Sequence, residues 1–285
     1  MGTAMHVLYD TRTVHPLDRY DYYRAGAGVE VAPMAVLGRA PGRLLSVMSV
    51  AQIGDFEIEA VTWSADSEVQ TRRTERLIRV CDPGCYRILL SVSGGIRVEQ
   101  AGNQLDVRAR DIALYDLSRL CQATHATGSG LMRVVMLTFP RALVPIAGAT
   151  VRPLMGTLMP RNLPGRSLIA QFLIGLTDTT ELTSDPDLAD VLYECTVGLI
   201  RQRLGQPNGI TPRTRRLLHI ARIHDIIRRQ LHNPTLDPDR IAEAANISLR
   251  YLHQLFQGAE LTRCNCSNGY AWRNATLVCK IRRWP

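Results

Sequence analysis

The chain has 285 residues, of which 46% are hydrophobic, and this is enough apolar material for the cores of about two domains. Its formal net charge of +8 is unevenly distributed. Residues 201–285 contain 15 Arg or Lys against 5 Asp or Glu, whereas residues 1–200 contain 19 against 21. A basic segment joined to a near-neutral one favours nucleic acid over an acidic protein as the partner, because cationic side chains neutralise phosphates.

Simple patterns exclude membrane-spanning and secreted proteins. No stretch approaches the roughly 18 uninterrupted apolar residues of a membrane helix, and the N-terminus lacks a signal-peptide pattern. The chain has seven Cys, an odd number, and no CxxC pair of the kind that binds zinc. We therefore expect a cytoplasmic protein with mostly reduced thiols and no membrane partner. Cys81 and Cys85 are interpreted as residues flanking the turn 82–84, with a redox pair as the alternative.

Residues 44–140 are rich in β-forming side chains and in short turn segments. The clearest part is a meander of three strands joined by two turns that contain Gly. The strands are Tyr86 to Val92, Ile96 to Gln100 and Leu105 to Val107, and the turns are Gly94-Gly95 and Ala101-Gly102-Asn103. Short strands at even spacing predict a barrel or a jelly roll.

Two amphipathic helices follow, at Leu163 to Leu182 and Pro186 to Leu204, and their apolar spacing predicts that they pack as a hairpin. The segment from Gly205 to Thr214 has Gly, Pro and Asn without apolar periodicity, which is typical of a linker. A further helix is predicted from about Arg213 to Leu231. It carries several Arg residues, which are interpreted mainly as a solvated face, with phosphate contact as the alternative.

The stretch from Ile241 to Phe256 has the spacing of two helices that cross at a tight turn. Asp237 is a suitable N-cap and Pro238 fits the first helical position. Asn246 tolerates the positive φ that the turn requires, and Ser248 can cap a second helix that begins at Leu249. In that helix the apolar Leu252, Leu255 and Phe256 face inward, so the polar Arg250, His253, Gln254 and Gln257 face outward. This is the pattern of a DNA-binding helix-turn-helix, and a solvated helical hairpin is the alternative.

The chain resembles the AraC/XylS family of bacterial transcription regulators over about residues 15–262. The stretch IAEAANISLRYLHQLF followed by QGAELT is similar to the first helix-turn-helix of that family. Upstream, RRTERLIRV, the segment from YRILLSVSGG to ALYDLSR, and LTFPRALV resemble the sensor domain of one branch.

The resemblance implies an α+β protein of two domains. The first, residues 1–204, would be a sensor and dimerisation domain with a cupin-like β-barrel at about 44–140 and a helical hairpin at about 163–204. A linker at 205–214 would lead to an all-α, incomplete helix-turn-helix domain at 215–262. In the family, helices after the barrel commonly pair two chains, so the hairpin either forms a homodimer or simply covers the barrel.

Metal-dependent cupin enzymes are the natural competitors of a sensor barrel, and the sequence lacks their ligands. No His lies between His15 and His125, and His125 in CQATHATGSG is interpreted as a loop residue rather than a metal ligand. GxSxG, Walker A and HExxH motifs are also absent. We therefore predict no enzyme, no metal site and no bound cofactor, and a barrel that holds a small-molecule effector.

Residues 263–285 depart from the family pattern, which continues with a connecting helix and a second helix-turn-helix. The 23 residues hold three of the seven Cys, two of the three Trp and the only Lys of the chain. This shift in composition suggests a frameshift near Arg263, with a metal-adapted tail that uses Cys264, Cys266 and Cys279 as the rival interpretation. An out-of-family tail predicts weakened DNA binding.

We predict a sequence-specific transcription regulator that binds double-stranded DNA. It would lie in the bacterial cytoplasm, at the nucleoid. The resemblance places Arg250, His253 and Gln254 at positions that face base edges. Four other residues of the same domain are expected to contact phosphates of the DNA backbone: Ser248, Gln257, Arg228 and Arg229. The alternative is a dimerising sensor or interaction protein that does not bind DNA by itself.

Overall fold

The structure is a computed structural model, and it divides into two compact units, Met1–Ile210 and Thr211–Pro285. It describes residues 5–27, 32–38, 42–125, 130–163, 165–178, 186–206 and 236–257, and the single residues 212, 215, 216, 219, 222, 223, 226, 227, 230 and 233. The predicted tail at 263–285 lies outside the described residues, as does most of the predicted linker.

Twelve described strands of the first unit form two antiparallel sheets. The larger sheet has the order β1-β3-β4-β11-β6-β9-β12, and the smaller has the order β2-β5-β10-β7-β8. The strands are β1 (His6–Asp10), β2 (Ala35–Leu37), β3 (Leu44–Ile53), β4 (Phe56–Ala65), β5 (Val69–Arg73), β6 (Cys85–Ser93), β7 (Ile96–Gln100), β8 (Asn103–Val107), β9 (Ile112–Asp116), β10 (Cys121–His125), β11 (Met132–Pro140) and β12 (Thr157–Leu158).

Seven α-helices have both ends within the described residues of the two units. Those of the first unit are α1 (Arg19–Ala27), α2 (Glu75–Val80), α3 (Gly148–Val151), α4 (Arg166–Asp178) and α5 (Pro186–Arg203). Those of the second unit are α6 (Pro238–Ala245) and α7 (Leu249–Gln257). None of these helices is long and apolar enough to cross a lipid bilayer.

The three predicted strands are confirmed as β6, β7 and β8, and β7 pairs with β8 in antiparallel register. The prediction that they form one meander is wrong, because β6 pairs with β9 and β11 in the larger sheet and not with β7. Gly94 has a φ of 74°, which a residue with a Cβ rarely adopts, so the predicted Gly-Gly turn follows from glycine chemistry. Strands also lie outside the predicted range 44–140. The edge strand β1 pairs with β3, and the two-residue strand β12 pairs with β9. Strand β12 has too few residues to show a period in the sequence.

Buried polar side chains join the two sheets of the first unit. The side chain of Gln100 on β7 donates to the carbonyl of Asp116 on β9 at 2.9 Å, and its Oε1 accepts from the Asp116 N–H at 2.8 Å. Arg73 on β5 is fully buried, and it donates to the carbonyls of Leu117, Pro33 and Cys81. The guanidinium is therefore surrounded by acceptors, which a buried cation requires.

Helix α4 lies on the larger sheet, where it contacts β4 and β11. Its inner face buries Ile169, Phe172, Leu173 and Leu176. Arg133 on β11 contacts the end of the helix, 2.5 Å from Asp178 Oδ1 and 3.1 Å from Thr177 Oγ1. That the two helices also pack on each other as a hairpin stays a prediction.

In the second unit, local chemistry fixes the ends of α6 and α7. Asp237 caps α6, and its side chain accepts from the Arg240 N–H at 2.8 Å. Asn246 has φ 52° and ψ 47°, the left-handed conformation that ends α6. Ser248 caps α7, and its Oγ accepts from the Tyr251 N–H at 3.1 Å. All three predicted roles are confirmed.

The core of the second unit is small and made mostly of aliphatic side chains. Leu252 and Leu255 of α7 pack on the inner residues of α6. Ile223 and Ile227, which belong to the predicted helix at 213–231, complete the cluster. The buried members are Ile223, Ile227, Ile241, Ala242, Ala245, Leu252 and Leu255. The small Ala242 and Ala245 permit a close approach of the helices.

Candidate functional site

The outer face of α7 is the candidate nucleic-acid interface. Because Leu252 and Leu255 are buried, side chains on the opposite side of α7 are directed away from the core. Arg250 and Gln254 are exposed, as predicted, whereas His253 is half-buried and so presents less of its ring. The face therefore offers one cation and one amide, the side-chain types that read guanine and adenine in a major groove.

The predicted phosphate contacts have different outcomes. Ser248 is exposed just before α7, and the acceptor role of its hydroxyl in the cap leaves the O–H hydrogen to donate to a phosphate. The backbone of Gln257 ends α7, but its side chain lies outside the described residues. Arg228 and Arg229 also lie outside them.

Two other arginines of the second unit bind backbone carbonyls of this helix pair. Arg222 donates to the carbonyl of Ala244 at 3.0 Å, and Arg216 donates to that of Leu255 at 3.0 Å. Both carbonyls lie near the C-terminal end of a helix, where a cation is favourable because of the helix dipole. Burial lowers the pKa of Arg222 from its ordinary value. These two arginines therefore hold α6 and α7 in place.

A second candidate site is a cavity of about 70 Å³ inside the first unit. Its lining is mostly apolar and aromatic, with a few polar groups, which is the usual composition of a small-molecule site. The sequence did not reveal these residues, because they come from strands of both sheets. They include Met34, Trp63, Arg87, Tyr115, His125 and Met136.

His125 lies inside this cavity and not in a loop. It is the last residue of β10, it is buried, and its ring stacks on Trp63 of β4 with centroids 4.7 Å apart. The prediction of a loop position was wrong because the following residues, Gly-rich and polar, hide the end of the strand in the sequence. Since β10 and β4 belong to different sheets, the stacked pair bridges the interior.

A buried ion pair lies beside the cavity. Arg87 on β6 donates to Glu59 on β4 at 2.6 Å and to Thr138 on β11 at 2.8 Å, and both charged side chains are almost fully buried. Tyr115, opposite Arg87 in register, is buried too, and burial raises the pKa of its phenol. The cavity thus has a cation whose charge is already neutralised.

A family model described as the AraC-binding-like domain matches residues 28–204 of the chain, more than half of its length. The chain belongs to the AraC-binding-like domain family. The match contains eleven of the twelve strands described above, all except β1. It also includes the cavity residues on β4, β6, β10 and β11.

One solved structure shares the fold over almost the whole chain, and two others match about a third of it. The AraC-like transcriptional activator CuxR has a TM-score of 0.58 at 14% identity, over 97% of this chain and 94% of that chain. The cupin domain of an XRE family transcriptional regulator from Enterobacter cloacae matches 34% of this chain and 98% of its own, with 11% identity and a TM-score of 0.27. KdgF from Halomonas sp. matches 34% of this chain and 79% of its own, with 17% identity and a TM-score of 0.26.

Within the described residues of this AraC-binding-like chain, no three His, Cys, Asp or Glu side chains cluster in a way that would hold a metal ion. Three of the described cysteines, Cys85, Cys121 and Cys195, are free thiols. Burial raises the pKa of Cys121 to about 11, so this thiol is protonated at neutral pH.

The buried His125 predicts a loss of stability in mild acid. Burial lowers its pKa from 6.5 to about 4, whereas in the unfolded chain the ring binds a proton at its ordinary value. Stability from this group is therefore complete above pH 6.5 and falls as the pH drops towards 4, by about 3 kcal/mol. Urea unfolding at several pH values measures this dependence. His125→Phe should flatten it, while His6→Phe, at an exposed position, should leave it unchanged. If the two variants lose the same stability between pH 6.5 and 4, His125 is not the group that causes the loss.

Proposed function

We propose that the chain is a sequence-specific DNA-binding transcription regulator in which α6 and α7 form a helix-turn-helix and α7 reads a major groove. The observation that carries the proposal is the αL turn at Asn246, which sets two short helices around a shared core and leaves Arg250 and Gln254 exposed on α7. In this kind of motif, side chains near the N-terminal end of the second helix contact base edges.

Electrostatics support the same proposal. The 15 basic residues against 5 acidic ones in residues 201–285 supply the charge that releases counterions from DNA. Ser248 at the start of α7 can donate to a phosphate, and the helix N-terminus itself favours an anion. Phosphate contacts of this type position the helix, while Arg250 and Gln254 provide the sequence readout.

The barrel of the first unit is proposed to be the effector sensor of this regulator, because it contains a lined cavity and belongs to a family of AraC-type binding domains. The regulator is proposed to act as a homodimer in the bacterial cytoplasm, since two-fold pairing doubles the base contacts on a palindromic operator. No enzymatic activity is proposed for the barrel.

Replacing Arg250 with Ala should weaken binding to the preferred duplex by about 1–3 kcal/mol and relax selectivity at one base pair. The preferred duplex is first selected from a random pool with the intact chain, and fluorescence anisotropy then measures affinity. Arg76→Ala is the matched control, because Arg76 is an exposed arginine of α2 in the first unit. A variant at Arg250 that binds every tested duplex as well as the parent does would show that Arg250 is not a reading residue.

A further inference from the structure

The cavity of the first unit has hydrogen-bonding groups that the described residues leave unused. The indole N–H of Trp63 and the Nδ1 of His125 are buried, and neither has a hydrogen-bond partner in the part of the chain that the structure describes. Trp63 is 2% exposed and His125 is 8% exposed, so bulk water does not solvate them. Buried polar groups are nearly always paired, so two such atoms on one stacked pair indicate a place for a further hydrogen-bonding partner.

The charge distribution selects against a charged partner. Arg87 is the charged side chain among the described lining residues, and its guanidinium already donates to Glu59 and Thr138. A carboxylate ligand would have to compete with Glu59 at 2.6 Å, and an ammonium ligand would meet a cation without gaining a counter-charge. A neutral ligand incurs neither cost.

The volume limits the size of the ligand. The cavity of about 70 Å³ is roughly half the ~150 Å³ of an engineered cavity that holds benzene. This space admits about four or five non-hydrogen atoms. Met34, Met132 and Met136 line the cavity, and unbranched methionine side chains adjust to the shape of a bound molecule. The flat Trp63–His125 stack favours a planar molecule.

We propose that this cavity binds a compact, uncharged, planar molecule of the class of small amides and azoles, which accepts a hydrogen bond from Trp63 and forms another with His125. The proposal rests on the sensor role proposed for the barrel and gives the chemistry of the effector. A ligand of this class would connect β4 and β10, and so would tie the two sheets together from inside.

Acetamide and acetate provide the test, because they have the same shape and differ in charge. The full-length, ¹⁵N-labelled chain gives one indole N–H signal for each of its three Trp residues, and Trp63→Phe identifies that of Trp63. Acetamide, added up to about 100 mM to allow for the weak affinity of so small a ligand, should move this signal downfield in a saturable manner. Acetate should not move it. The other two indole signals are the internal reference.

A variant pair locates the second hydrogen bond. His125→Phe keeps an aromatic ring on Trp63 but removes the ring nitrogens, and it should weaken acetamide binding by about 3- to 10-fold. His6→Phe, the same change at an exposed position of β1, should bind acetamide as the parent does.

Three outcomes would overturn the proposal: equal binding of acetate and acetamide, equal affinity of the two His variants, or no saturable shift, which would mean that water fills the cavity. The comparison of acetamide with acetate uses the unmodified chain, so it holds even if His125→Phe does not fold. The readout needs no DNA, so failure of this proposal is distinguishable from failure of DNA binding.

Discussion

Replacement of Glu59 with Gln is expected to destabilise the first unit by about 3–5 kcal/mol, because it leaves the buried Arg87 without its counter-charge. Both side chains are almost completely buried, and their charged atoms lie 2.6 Å apart. The guanidinium would still donate to Thr138, but a hydroxyl does not offset a full positive charge in an apolar interior. Urea unfolding followed by the indole N–H signal of Trp63 measures the loss.

The pair Arg97–Asp106 provides a matched control. Its atoms lie 3.1 Å apart, but both side chains are more than half exposed, so Asp106→Asn should cost less than about 1 kcal/mol. A double variant, Glu59→Leu with Arg87→Met, should recover most of the stability, since replacing a whole buried pair by apolar groups is often neutral. The account of the ion pair fails if Glu59→Gln costs no more than Asp106→Asn.

Replacement of Leu252 with Ala is expected to destabilise the second unit by about 2–5 kcal/mol, through lost burial and the cavity that remains. Leu252 is fully buried between α6 and α7, and the core around it is small. Without this contact, α7 no longer holds a fixed position, so binding to the preferred duplex should be lost as well. Hydrogen exchange of the amides of α6 and α7 measures the stability of this unit separately from that of the barrel.

Glu243→Ala is the control for this prediction, because Glu243 is exposed on α6 and should change stability by less than about 0.5 kcal/mol. Exchange in the strands of the first unit should be the same in both variants. If Leu252→Ala leaves exchange in α6 and α7 unchanged, the cluster around Leu252 is not the core of the second unit.

Rules that act within a few residues made α6 and α7 predictable. The cap at Asp237, the left-handed Asn246 and the cap at Ser248 each depend on contacts with the next two to four residues, so the sequence displays them directly. The same holds for the turn at Gly94. Apolar spacing of Leu252 and Leu255 then determined which side of α7 is exposed.

The cavity could not be predicted in this way, because its contacts join residues that are distant in sequence. The stack of Trp63 and His125 connects strands of different sheets, and the pair of Glu59 and Arg87 spans the neighbouring strand β11. Alternation along a strand shows which side chains share a face, but not which faces meet. Arg222 belongs to the arginines that were interpreted as a solvated or phosphate-binding face. Its contact with a carbonyl of α6 could not be predicted either, because the two residues are distant in sequence.

The most direct test of the central claim is the affinity of the intact chain for its selected duplex and for a scrambled duplex of the same composition, over a series of salt concentrations. The account predicts clear preference for the selected duplex at physiological salt, and an affinity that falls linearly with salt on a double-logarithmic plot, as phosphate contacts require. A stable dimer that binds both duplexes equally, or neither, would contradict it and would support a sensor or interaction protein without DNA binding of its own.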